Sequence, residues 1–132
     1  GEDFKQLQVV NNRMLAAFAS APKPDFKHIS EATSEIRKRA ARLKANLQLP
    51  RPETEGKKAK AQEPAGGAQL RESLLALDRS VMSFVESPVF KNTGVVDAAH
   101  AAKASGDLES VIELSQAISK GAERMGKATK KP

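Results

Sequence analysis

Three methionines, Met14, Met82 and Met125, and two histidines, His28 and His100, are the side chains here best suited to hold a metal. Thioether sulfur and imidazole nitrogen are axial ligands of haem iron. A noncovalent haem b held by Met14 with Met125 or His100 is therefore the sharpest chemistry on offer, and electron transfer would follow from it. Ordinary uses compete with it. Methionine at a core position fills irregular gaps between helices, and both histidines fall beside the apolar stripe of their segments, where a boundary imidazole is the common case. Neither histidine has a second Glu-x-x-His motif to match it, so a di-metal carboxylate site fails on ligand count. No resident cofactor or metal is expected.

The run RKRAARLK, from Arg37 to Lys44, carries five cations: Arg37, Lys38, Arg39, Arg42 and Lys44. Such a row gives salt-dependent hold on a polyanion or an anionic membrane surface, and Lys127, Lys130 and Lys131 at the chain's end would add to it. Glu35 stands four residues before Arg39, however, which is helical ion-pair spacing. No aromatic residue is interleaved for base stacking, and no recognition-helix motif is present. A solvated basic face is the favoured reading, and nucleic acid is not an expected partner. The chain also lacks a nucleophile elbow, a metalloprotease helix motif, a phosphate loop and converging carboxylates, so an enzyme is not expected.

The elements that must position these residues follow from composition and period. The chain has 132 residues, enough for one domain with a modest core. Hydrophobic residues make up 39% and aromatics 4%, a mixture that suits close-packed helices better than a β-sandwich. There is no cysteine, which excludes disulfides and thiolate chemistry. Net charge is +6, and the excess lies in residues 1–67, with 13 Lys and Arg against 8 Asp and Glu. No apolar run is long enough to span a bilayer.

Apolar spacing predicts four amphipathic helices. The first covers about Asp3 to Ser20, with Phe4, Leu7, Val10, Met14 and Phe18 inward and Asp3 as N-cap. A second, from about Asp25 to Leu49, turns Ile29, Ala32, Ile36, Ala40, Leu43 and Leu47 inward. Residues 50–67 read as a mobile linker with little to bury. The third helix, from about Ala68 to Ser87, carries Leu70, Leu74, Leu77, Val81, Phe84 and Val85. After SPVFKNTG comes a short Ala-rich helix, then a turn at Gly106-Asp107 with Asp107 capping the last helix. That helix turns Leu108, Val111, Ile112, Ile118, Ala122 and Met125 inward. The expected fold class is all-α, an antiparallel up-down-up-down four-helix bundle with a long linker between helices two and three.

The stretch AAKASGDLESVIELSQAISKGAERMGKATKK, with its Ser105-Gly106-Asp107-Leu108 turn, its Val111 and its Lys120-Gly121, resembles the last connection and last helix of the cytochrome c′ family. The resemblance implies a haem-attachment helix bearing Cys-x-x-Cys-His near its end. Counted from the turn, this chain has Ala122-Glu123-Arg124-Met125-Gly126 there, with neither thiols nor an axial imidazole. Gly121 and Gly126 then read as relics of close approach to a cofactor, or as fraying of a helix end. What the resemblance implies is a haem-free, non-enzymatic bundle that binds a protein or small-molecule partner, with pairing of two copies through outer helix faces. Because the chain opens on Gly1, removal of a signal peptide and export to the periplasm are part of the expectation.

Overall fold

The computed structural model describes residues 2–20, 25–47, 62–87 and 98–130. Four α-helices account for nearly all of them: α1 (Glu2–Ser20), α2 (Phe26–Leu47), α3 (Gly67–Val85) and α4 (Ala98–Lys130). The all-α, four-helix class is the one the periodicity predicts. Helix starts differ in detail. Asp3 lies inside the first turn of α1, which begins at Glu2. Asp25 is the working N-cap of α2, its Oδ1 accepting the His28 backbone N–H at 3.0 Å.

One expected break is absent. α4 runs unbroken for 33 residues straight through Gly106-Asp107, where a turn was expected. Its buried side chains explain why. Ala101, Ala104, Leu108, Val111, Ser115, Ile118 and Ala122 are all buried, and their spacing alternates three and four residues without a slip. A glycine inside a helix costs roughly 1 kcal/mol, less than a turn here would forfeit by breaking that stripe. Asp107 caps nothing. Its Oδ2 accepts the Ser83 hydroxyl at 2.6 Å and the Lys103 ammonium at 3.2 Å, tying α4 to the end of α3.

Those ties set α2 and α3 against α4, and the short step from Ser20 to Phe26 between two helices packed together turns α2 back along α1. Ser30 and Ser34 of α2 meet Ser119 of α4, and Lys44 pairs with Glu109. Numbers rise on α2 as they fall on α4, so the two are antiparallel. Ser83 beside Lys103 and Asp107, with Pro64 beside Gly121, makes α3 antiparallel to α4 as well. Hence α2 and α3 point the same way. The order is up-down-down-up, and the expected alternation fails at the third helix. α2 packs most extensively on α4, α3 on α4 and α1 on α2, while the α1–α3 contact closes the ring and is the thinnest of the four. α3 therefore begins at the end of the bundle opposite to the one where α2 stops.

The core holds the predicted stripes. Leu7, Met14, Ile29, Ile36, Leu70, Leu74, Leu77, Val81, Phe84, Leu108, Val111 and Ile118 are fully buried, and Ala40, Ala104 and Ala122 fill the narrow places between them. Phe4 and Leu47 belong to stretches whose side chains lie outside the described residues.

Candidate functional site

The structure separates the haem candidates. Met14 is fully buried on α1, and Met125 is half-buried on α4. The level of each along the bundle follows from two bonds. Asn11 bonds Asp78 across the α1–α3 seam, and Ser83 bonds Asp107. Counting along the antiparallel helices puts Met14 level with about residue 115 of α4, roughly 15 Å short of Met125. Two sulfurs so placed do not face one macrocycle. His100 is exposed near the start of α4, at the far end from Met125, and His28 is exposed at the start of α2. Met82 is half-buried on α3. Among the described residues no group of three or more His, Cys, Asp or Glu gathers where a metal would sit.

Gly121 and Gly126 have a different explanation from cofactor relics or fraying. Gly121 is buried in the interior of α4, and a Cβ built there would lie 2.7 Å from both Cδ and the carbonyl oxygen of Pro64. The glycine is the seat for that proline. Pro64 is itself buried, and Glu63 beside it pairs with Arg124 at 3.2 Å. The end of the expected linker is thus a strap laid on α4, contrary to the reading that 50–67 has little to bury; residues 50–61 lie outside the described residues. Gly126 serves a milder version of the same purpose, with Phe26 Cβ at 3.4 Å from where its own Cβ would stand.

The basic run of α2 does not form a continuous outer row. Lys38 and Arg42 are exposed, while Arg37 and Arg39 are half-buried. Arg39 Nε donates to Glu35 Oε2 at 3.0 Å, the helical pair the spacing predicts. Lys44 is paired across the seam with Glu109 of α4. The antiparallel neighbour supplies the reason for this pattern. The basic second half of α2 lies along the half of α4 that carries Asp107, Glu109 and Glu113, and cations near a helix C-terminus are favoured in any case. Lys127 pairs with Glu123 at 3.4 Å, and the side chains of Lys130 and Lys131 lie outside the described residues.

Among the described residues, Ser83, Lys103 and Asp107 form a cluster with the outline of a catalytic dyad: Lys103 Nζ is 2.7 Å from Ser83 Oγ. Its surroundings are wrong for that work. A lysine base needs desolvation and no anion at hand, whereas Lys103 is 67% exposed and bonded to a carboxylate. Both helices there are continuous, so no free backbone N–H groups stand ready for an oxyanion. The cluster clamps α3 to α4.

Asn11 is the residue sequence reasoning missed. It is fully buried between α1 and α3, and its Nδ2 donates to Asp78 Oδ1 at 2.9 Å. Among the described residues, three buried side-chain oxygens accept no hydrogen bond: those of Asn11, Glu63 and Glu109. The two carboxylates face the cations Arg124 and Lys44. Asn11 Oδ1 faces none. Leaving such a group unsatisfied costs about 1–3 kcal/mol. The signal in the sequence was a polar amide at the core spacing between Leu7 and Met14.

The chain matches no protein-family model, no curated protein and no solved structure. Function must therefore be argued from the residues themselves.

Proposed function

We propose that this chain is a non-enzymatic, haem-free helical bundle that works by binding a protein or small-molecule partner, exported to the periplasm. One observation supports it above the rest: the side chains able to do chemistry are already committed. Serine, lysine and aspartate clamp α3 to α4, Arg39 and Lys44 of the basic run are paired with Glu35 and Glu109, and Met14 and Met125 lie at different levels of a core packed with Leu, Ile, Val and Phe. The resemblance to cytochrome c′ now rests on the composition of α4, since Ser105-Gly106-Asp107-Leu108 is helix, and this reading does not depend on it.

Titrating the full chain with haem and following visible absorption tests the proposal. The expected spectrum is that of free haem at every ratio. A saturating, one-to-one Soret shift that Met14→Ala abolishes would overturn it in favour of a b-type electron carrier. Export is tested separately, by fractionating cells that express the full-length natural gene and locating the chain. Among the described residues no helix is long and apolar enough to cross a membrane.

A further inference from the structure

We propose that the seam between α1 and α3 is a binding site for a small organic cation bearing N–H donors, a primary ammonium or a guanidinium, held by Asn11 Oδ1 and the Asp78 carboxylate. This deepens the binding-module reading and rests on it. The argument begins with the orientation of one amide. Asn11 Nδ2 donates to Asp78 Oδ1 at 2.9 Å. That bond fixes which way the amide faces, because the flipped amide would turn an oxygen toward a carboxylate. Oδ1 is therefore forced to point elsewhere, and there it is buried without a donor.

Asp78 is half-buried and meets no cation among the described residues. Two acceptors, one of them negatively charged, thus share one point on the thinnest contact between neighbouring helices, and only one donor serves them. A positively charged group that only donates satisfies both needs at once. A hydroxyl or a carboxylate would bring another acceptor into a place that already has a surplus.

The test uses methylguanidinium chloride as the probe, with the full chain labelled for NMR. The Asp78 carboxyl carbon and the Asn11 side-chain amide are followed, against tetramethylammonium chloride and sodium chloride at matched ionic strength. Saturable shifts with methylguanidinium alone are expected. In Asp78→Asn, which preserves shape, the amide response should weaken at least about tenfold, as befits loss of a charge-assisted bond. In Asn11→Leu the Asp78 carboxyl carbon should lose its saturable response. Equal shifts with tetramethylammonium, which has no N–H, would reduce the effect to charge screening and overturn the site. So would a flat titration, which would assign Oδ1 to a bound water. Either failure leaves the haem titration, and the broader reading it tests, untouched.

Discussion

The α2–α4 seam and the α1–α3 seam are built from the same kinds of residue to opposite ends. Between α2 and α4 the buried and half-buried hydroxyls close on one another or on backbone carbonyls. Ser30 and Ser119 exchange bonds at 3.2 and 3.3 Å, Ser34 meets Ser119 at 2.9 Å, and the buried hydroxyls of Thr33 and Ser115 return to backbone carbonyls one turn earlier. Small side chains let the helices approach, and at Gly126 a Cβ would stand 3.4 Å from Phe26 Cβ. Between α1 and α3 the Asn11 amide reaches the Asp78 carboxylate, and the amide's own oxygen is left over. A buried polar group rigidifies a seam when all its bonds are made and loosens it when one is missing. The first seam holds the fold, and the second is where it has something left to offer.

The largest effect that separates them is a matched truncation. Ile118, fully buried beside the serine cluster, should lose about 2–5 kcal/mol of stability on replacement by alanine. Val10, half-buried on α1, should lose less than about 1.5 kcal/mol on the same change. Urea unfolding of both variants measures the gap, and equal losses would break the contrast.

Next in size is the strap. Gly121→Ala drives a methyl to 2.7 Å from Pro64, so the proline must shift, at about 1–3 kcal/mol for overpacking. Pro64→Ala removes one of the two colliding groups but leaves the backbone oxygen. The double variant should therefore recover part of the loss, and a double-mutant cycle reads the coupling. Strict additivity would mean that Pro64 does not sit on Gly121.

What the sequence made legible was local. Twelve residues between Leu7 and Ile118 that lie fully buried follow helical spacing, and each helix could be read from its own stripe. Two things were not local. The heptad through Ala101, Ala104 and Leu108 was there to see, but Gly106-Asp107 is a strong stop signal, and only the burial of both flanks decides that the stripe wins. The up-down-down-up order was hidden for a different reason: direction depends on which helix α3 meets, and a stripe does not name its partner. The candidate site was less legible still. Asn11 sits at a core position in the sequence, yet its significance needs Asp78, 67 residues away. Of the residues the sequence offered most plainly, Met14 is buried in the core, and Arg39 and Lys44 of the basic run are paired with Glu35 and Glu109.

A smaller effect belongs to the rim of the tight seam. Lys44 is half-exposed while Glu109 is mostly covered. A pair so placed is screened, and Lys44→Ala should cost about 0.2–1 kcal/mol, shrinking as salt is raised toward 1 M. A cost that ignores salt would show that the lysine stem, not its charge, matters there.

The smallest effect is the most informative. Asn11→Leu removes the amide from the loose seam and with it the unsatisfied oxygen. Asp78 loses one donor, but it is half-buried and can take water instead. Removing a buried polar group whose bonds are incomplete is close to neutral, so stability should change by less than about 1 kcal/mol. The same substitution in a fully bonded amide costs more than that, because every partner is left stranded. Thermal and urea unfolding of Asn11→Leu therefore weigh the missing bond directly. A loss well beyond 1 kcal/mol would mean that Oδ1 is satisfied in solution and that the two seams differ less than their hydrogen bonds suggest. A neutral result would show that this position is not held by stability, and the reason for an amide in the core would then lie in what it binds.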